Sequence, residues 1–145
     1  MFYGEYSHTL DAKGRAVLPA KFRQLAKEKK IKKFYLTRGM EKCLFLFPEE
    51  EWKNQEEKFK SLSIMKKDAR SFNRLYFSGA TEIVPDSQGR FVIPSYLKEY
   101  ADIEKEIVFI GVSNRIELWS KYSWEEFTSQ HLQHFEQIAE KLIEE

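Results

Sequence analysis

The sequence of 145 residues contains few of the residues that mark disulfide-bonded, metal-binding and membrane proteins. Cys43 is its one cysteine, which excludes a disulfide framework and is typical of a reducing cytoplasm. His131 and His134 stand three apart on a predicted helix, but two ligands do not make a structural metal site. No apolar run reaches about 18 residues and no basic-then-apolar leader is visible, so we expect neither a signal peptide nor a membrane partner.

Motifs for catalysis and cofactor binding are missing as well. The sequence has no glycine-rich phosphate loop, no nucleophile elbow and no HExxH motif. We therefore predict that the protein is not an enzyme, binds no cofactor and no metal, and has no small-molecule substrate.

What the sequence does contain is one segment in two copies. Residues 11–19 read DAKGRAVLP, and residues 86–94 read DSQGRFVIP. The likeness continues downstream, because LFLF at 44–47 corresponds to IELW at 116–119, and a tryptophan follows each. The duplication predicts a first unit, a helical connector, a second unit and a C-terminal amphipathic helix. These four segments are residues 5–50, 51–78, 79–124 and 125–145.

Each repeat has the same predicted order of elements, in which a strand, the D-x-x-G-R turn and a second short strand lead into a helix. In such a turn Asp accepts hydrogen bonds from the backbone two residues on, and Gly supplies a positive φ. We assign the turn-holding role to Asp11, Asp86 and Gly89, with Asp11 holding its turn or orienting Arg15. A proline follows each second strand, and its missing N–H costs nothing in the first turn of a helix. The predicted class is α+β.

Charge is distributed unevenly, although the net charge is only +1. Residues 11–38 contain ten basic and two acidic side chains, a balance of +8, whereas the matching residues 86–115 have a balance of −1. Residues 116–145 have a balance of −5. Opposite charges at two poles of one chain favour head-to-tail contacts between copies, and such contacts can close into a ring.

The C-terminal segment carries apolar residues at helical spacing. Leu132, Phe135, Ala139 and Leu142 are three, four and three residues apart, which is the pattern of an amphipathic helix with one wide apolar face. We expect this face to pack on the protein's own core. The alternative is that it packs against another subunit.

The two turns and their flanking residues give the chain a resemblance to a known family. The flanking motifs are FYGEY at 2–6, GA at 79–80 and ELW at 117–119. Together they cover nearly the whole chain, which resembles the MraZ family of bacterial proteins with two AbrB/SpoVT-type swapped-hairpin motifs. The resemblance implies a double-split β-barrel, built from two duplicated β-α-β repeats and flanked by helices.

The same resemblance implies a function. Members of this family are cytoplasmic, nucleoid-associated regulators of transcription that assemble into rings. The resemblance further implies that the DNA target consists of repeated elements in the promoter of the bacterial cell-division and cell-wall gene cluster.

The DNA-binding residues are expected on and beside the two turns. A two-stranded ribbon fits a major groove, where Arg can bond guanine bidentately and Lys can neutralise a phosphate. The predicted contacts with double-stranded DNA are Lys13, Gly14, Arg15, Lys21, Arg23 and Arg90. Gln88 replaces the lysine in the second turn, whose sequence neighbours are also less basic, so Arg15 is expected to contribute more than Arg90.

Two alternatives remain at this point. Each Asp–Arg pair could be a local ion pair that only holds its own turn. The protein could also be an antitoxin-like module of the swapped-hairpin superfamily, which binds another protein. Such antitoxins usually carry one hairpin motif and a long disordered tail, whereas this chain has two motifs and an amphipathic tail.

Overall fold

The computed structural model describes residues 1–144 and has the duplicated order of elements that the sequence predicts. The first repeat contains β1 (Glu5–Thr9), β2 (Arg15–Val17), α1 (Ala20–Glu28), β3 (Phe34–Arg38) and β4 (Leu44–Pro48). The connector forms α2 (Glu49–Lys60) and α3 (Lys67–Ser78). The second repeat contains β5 (Thr81–Ile83), β6 (Arg90–Val92), α4 (Ser95–Tyr100), β7 (Glu106–Val112) and β8 (Arg115–Ser120). The last part of the chain forms α5 (Lys121–His131), a short 3-10 turn (Leu132–His134) and α6 (Phe135–Glu144). The sequence predicted one helix over residues 125–145 here, but the 3-10 turn divides it, and residue 145 lies outside the described residues.

Several helices begin where a proline sets the backbone. Pro19 and Pro94 lie at the N-caps of α1 and α4 with φ of −52° and −55°. The helix α2 starts directly after Pro48 with three glutamates in its first turn, which complement the partial positive charge of a helix N-terminus. The connector is helical as predicted, and residues 61–66 divide it into α2 and α3. None of the helices in the described residues is long and apolar enough to cross a membrane.

The strands of the two repeats are interleaved. The main sheet has six antiparallel strands in the order β1-β7-β8-β4-β3-β5. The first strand of each repeat pairs with the other repeat, so that β1 lies beside β7 and β5 lies beside β3. The strands β2 and β6 pair with each other as a separate two-stranded ribbon. The repeats are thus related by an approximate two-fold axis, and neither repeat completes its strand pairing alone.

The predicted α+β class is confirmed, but the predicted barrel is not. The strands β1 and β5 form the two edges of the main sheet, and no ladder joins them within residues 1–144. The second strand of each repeat goes into the ribbon instead of extending the main sheet. The main sheet therefore stays open at β1 and β5.

Two hydrophobic clusters form the core, one on each face of the main sheet. Successive residues of a strand point to opposite faces, so β7 contributes Phe109 to one cluster and Val108 to the other. The ribbon, α1 and α4 cover the first cluster. On the other face, α2, α3 and α5 bring aromatic rings together, and the centroids of Trp52 and Tyr76 are 5.6 Å apart.

The C-terminal segment departs from the expected packing. The helix α5 packs on the main sheet through Trp124 and Phe127, whose rings both contact Trp119. In α6, however, Phe135 and Leu142 are 68% and 69% exposed. The prediction that the amphipathic face packs on its own core is wrong for α6, because α5 and the connector helices already cover that face of the sheet.

Candidate nucleic-acid interface

The first D-x-x-G-R segment folds into a turn closed by Asp11. Its Oδ1 accepts hydrogen bonds from the backbone N–H groups of Lys13 at 2.9 Å and Arg15 at 2.8 Å. Its Oδ2 accepts a hydrogen bond from Nε of Arg15 at 2.7 Å, which is also an ion pair. Gly14 has a φ of +75°, and its N–H donates to the carbonyl oxygen of Asp11 at 2.8 Å. The carboxylate of Asp11 therefore closes the turn and fixes the guanidinium.

The second turn has the same geometry around Asp86. Its Oδ1 accepts from the backbone N–H groups of Gln88 and Arg90, both at 2.9 Å. Its Oδ2 accepts from Nε of Arg90 at 2.7 Å, and Gly89 has a φ of +82°. Because the same contacts form in both repeats, the five-residue motif itself determines the turn.

Both turns hold their carboxylates in the charged form. The backbone N–H of Arg15 lowers the pKa of Asp11 below its ordinary value, and the Arg15 side chain and the N–H of Lys13 lower it further. The N–H of Arg90 lowers the pKa of Asp86 in the same way. The two Asp–Arg ion pairs therefore persist at neutral pH.

The ribbon places both arginines on one outward face. Arg15 and Arg90 lie on either side of the central Ala16–Phe91 pair in the antiparallel ladder. Ala16 and Phe91 are buried, so the flanking positions face outward by alternation, and Val92 among them is 60% exposed. The arginines occupy diagonal positions, which are about 7–8 Å apart in such a ladder. The major groove of DNA is about 12 Å wide and can admit both side chains.

Each arginine is held through only one of its side-chain nitrogens. Nε of Arg15 and Nε of Arg90 each donate to the aspartate of their own turn. Among the side chains of residues 1–143, and the backbone of residues 1–144, the terminal amino groups of these two arginines have no hydrogen-bond partner. A guanidinium fixed in this way can still bind guanine or a phosphate with two parallel hydrogen bonds.

The exchange of strands brings each turn next to the helix of the other repeat. Arg23 of α1 lies directly against Gly89, and its Nη1 donates to the carbonyl oxygens of Leu18 at 2.8 Å and Gln88 at 3.4 Å. Lys98 holds the matching position on α4, with its Nζ beside Gly14. Arg23 therefore fastens the second turn to α1.

This crossing also exchanges the charged surroundings of the turns. The second turn borders a groove that contains Arg23, Lys27 and Lys32 from the basic first repeat. The first turn lies beside Lys98, which shares a pocket with three acidic residues. These are Glu99, Asp102 and Glu104. The expectation that Arg15 outweighs Arg90 relied on Lys13 in the first turn and on basic neighbours in the sequence such as Arg23, and the structure places Arg23 beside the second turn instead.

The remaining predicted contacts lie in different places. Lys13 is exposed at the tip of the first turn, two residues from Arg15. Lys21 is exposed on α1, but it lines a pocket with Met1 and Tyr3 rather than with either turn. Sequence reasoning missed Lys98, although its alignment with Arg23 in the duplicated segment could have indicated it.

The histidines and the cysteine, which could bind a metal or act as a nucleophile, make separate contacts. No group of three or more metal-ligating side chains occurs among the residues that the structure describes. His131 packs on Phe127 with ring centroids 4.5 Å apart, while His134 forms a hydrogen bond with Gln137. Burial raises the pKa of the Cys43 thiol, so this cysteine is a poor nucleophile.

Comparisons with known proteins relate the whole chain to one family. The profile of the family described as "MraZ protein, putative antitoxin-like" matches residues 1–75 and again residues 76–145. A curated protein of Caldanaerobacter subterraneus subsp. tengcongensis, named transcriptional regulator MraZ, is 52% identical over 142 residues. The alignment covers 98% of this chain and 96% of that protein. A protein of the same name from Thermoanaerobacter sp. matches with the same identity and the same coverage.

Proposed function

This chain belongs to the MraZ family, and we propose that it is a transcriptional regulator that binds double-stranded DNA through the outward face of its β2–β6 ribbon. The name of the relatives supports the regulatory role, and the ribbon face supports the mode of binding. Under this proposal the protein acts in the cytoplasm in association with the nucleoid. It needs neither catalysis nor a cofactor for this role.

One observation carries the proposal: Arg15 and Arg90 share the outward face of the ribbon. A two-stranded ribbon can enter the major groove, and arginine is the commonest specific partner of guanine there. The Asp–Arg pairs fix both guanidinium groups before DNA arrives, so less side-chain entropy is lost on binding. With a rise of about 3.4 Å per base pair, the two arginines reach bases or phosphates about two base pairs apart.

Other basic side chains have supporting roles in this proposal. Lys13 and Lys98 beside the first turn neutralise phosphates, which orients the protein on DNA without reading sequence. Arg23 acts through the second turn, because it holds the backbone of Gln88 and Gly89 in place.

The proposed targets are repeated elements in the promoter of cell-division and cell-wall genes, bound by a ring of identical subunits. The balance of +8 in residues 11–38 and −5 in residues 116–145 supports head-to-tail contacts between copies. A ring presents several ribbon faces. Binding to one DNA repeat then raises the effective concentration of the next ribbon at the next repeat.

A gel shift with the DNA upstream of the protein's own gene tests this proposal. Affinity is expected to fall steeply with salt, with a slope of log K on log salt of about −0.9 for each neutralised phosphate. Fragments with several repeats are expected to bind far more tightly than fragments with one repeat. An affinity that does not depend on salt, or equal affinity for one repeat and for several, would contradict the proposal.

An antitoxin-like role is the alternative function. It requires a surface for a partner protein, and the exposed apolar side of α6 is an observation in its favour. The same gel shift separates the two roles, because a module that acts only by capturing a protein does not shift DNA.

A further inference from the structure

We propose that α6 of one copy docks in a groove between α2 and α3 of a second copy of this chain. The acidic edge of α6 would lie against the basic rim of that groove. The inference rests on the proposed assembly of identical subunits and is independent of DNA binding. It assigns the basic side of the contact to the connector, within residues 60–74, instead of residues 11–38.

The first observation is an apolar face that the described chain leaves uncovered. This face begins in the 3-10 turn and continues along α6. Its members are Leu132, Phe135, Ile138 and Leu142, which are 71%, 68%, 43% and 69% exposed. At 3.6 residues per turn they share one side of the helix. Isolated helices shorter than about 12 residues are marginal in water, so a helix as short as α6 needs a cover for this face.

The second observation is the charge along this face. Glu136 and Glu140 are four residues apart and follow one edge of the apolar side, whereas Lys141 lies at the opposite edge. The helix has three acidic residues and one basic residue. The partner surface should therefore be apolar in the middle and basic along one rim.

The connector helices offer a groove with this chemistry. Leu62 and Ile64 line it and are 40% and 76% exposed. Lys60, Arg70 and Arg74 line it as well. Nη1 of Arg70 donates to the carbonyl oxygen of Ile64 at 2.9 Å, which shapes the loop between α2 and α3. Residues 60–74 carry five basic side chains and one acidic one.

The spacing of charges matches as well as their sign. Arg70 and Arg74 are four residues apart on α3, as Glu136 and Glu140 are on α6. Two helices laid side by side can therefore form two ion pairs about 6 Å apart, with the apolar side chains packed between them. This match between two surfaces of the same chain identifies a second copy as the occupant.

The groove is open in a single chain, because none of the described residues that line it belongs to α6. Among the side chains of residues 1–143, no ion pair or hydrogen bond joins α6 to α2 or α3. A copy that docks its α6 in the next copy offers its groove to a third, which is the geometry of a ring or a filament.

Reciprocal charge reversal tests the docking. The helix variant is Glu136→Lys with Glu140→Lys, and the groove variant is Arg70→Glu with Arg74→Glu, so the combined protein reverses both members of each proposed ion pair. Because Arg70 also holds the loop through the carbonyl oxygen of Ile64, the melting temperature of each variant is measured as well. Mass is measured by light scattering at micromolar concentration without DNA. We expect oligomers for the wild type, monomers for each variant alone, and recovery of oligomers when all four substitutions are combined.

A control variant matches the helix variant in its change of charge, because it also replaces two glutamates by lysine, but at positions away from the proposed contact. Glu50→Lys with Glu104→Lys alters two exposed glutamates outside residues 11–38, the groove and α6, and should leave the oligomeric mass unchanged. If the groove variant lowers the melting temperature, Ile64→Ser replaces it, since that side chain is exposed and its loss should not affect folding.

Three results would overturn the proposal. They are a monomeric wild type, an unchanged mass in the groove variant, and no recovery in the combined variant. An unchanged mass in the groove variant with a monomeric helix variant would mean that α6 pairs with another surface or another protein. Because the assay contains no DNA, its outcome is distinct from that of the gel shift.

Discussion

The two D-x-x-G-R turns have the same internal contacts and different surroundings. In both, one carboxylate accepts two backbone N–H groups and the Nε of an arginine, with distances that agree within 0.1 Å. The first turn lies beside Lys98, which also lines a pocket with acidic residues, and the second turn lies beside Arg23 and borders a basic groove. Local geometry therefore follows from five residues, whereas electrostatic surroundings depend on how the strands are exchanged.

The largest expected effect comes from removing the arginines. Arg15→Ala and Arg90→Ala should each weaken DNA binding by about 5–150-fold, as expected for about 1–3 kcal/mol per base contact. The two effects should be similar, because the side chains share one face. The double variant should show no detectable shift in a gel assay. Lys53→Ala, which removes an exposed positive charge from α2, is the control and should bind as the wild type does.

If either single variant binds DNA with wild-type affinity, the claim that both arginines contribute equally is wrong. A melting curve for each protein distinguishes recognition from stability. If both variants lose thermal stability together and keep their affinity, the arginines only hold their own turns.

A smaller effect is expected from the aspartates. Asp11→Ala removes the acceptor for three donors, so the first turn should loosen, and both melting temperature and DNA affinity should fall. Asp11→Asn keeps an oxygen for the backbone N–H groups but loses the ion pair, so its effect should be intermediate. The matching changes at Asp86 should give the same order. An Asp11→Ala protein that melts and binds like the wild type would contradict this role.

The smallest change in affinity is expected from the residue that differs between the turns. Lys13 and Gln88 hold equivalent places in the two turns. Lys13→Gln removes the lysine from the first turn, and Gln88→Lys adds one to the second. The slope of log K on log salt should become shallower by about 0.9 in Lys13→Gln, which neutralises one phosphate fewer, and steeper by about 0.9 in Gln88→Lys. Preference among DNA sequences should hardly change, because lysine contacts phosphate rather than bases. Slopes measured over a series of salt concentrations that match the wild type in both variants would refute the assignment.

At neutral pH the carboxyl groups of Asp11 and Asp86 should be ionised to the same extent. The folded pKa values of Asp11 and Asp86 lie below their ordinary value of 3.8. The ionised carboxylates therefore make their full contribution to the free energy of unfolding above pH 3.8. This contribution is lost as the pH falls through the lower pKa values that the two groups have in the folded protein. An NMR titration of the carboxyl carbons should show both groups ionised from pH 5 to pH 8. Protonation of either group within that range would show that its turn is open.

The sequence predicted the duplicated architecture well, because the signals are local. The repeated Asp, Gly and Arg encode the turns, and a proline after each short strand sets the start of a helix. The order of strands and helices followed from the same signals.

Features that depend on distant partners could not be predicted. Lys98 is far from Gly14 in sequence, and only the exchange of strands brings its Nζ close to that glycine. The open sheet follows from the pairing of β2 with β6, which no local pattern encodes. The apolar spacing of α6 predicted a buried face, but the pattern does not say which surface covers it.

The most direct test of a single DNA-binding face made by both repeats is hydrogen–deuterium exchange with and without target DNA. Mass spectrometry would follow two segments, residues 11–18 and residues 86–93. The account predicts that DNA slows amide exchange in both segments to a similar extent, while α6 is unaffected. Slower exchange in only one segment, or in neither, would contradict the claim that Arg15 and Arg90 enter the same groove.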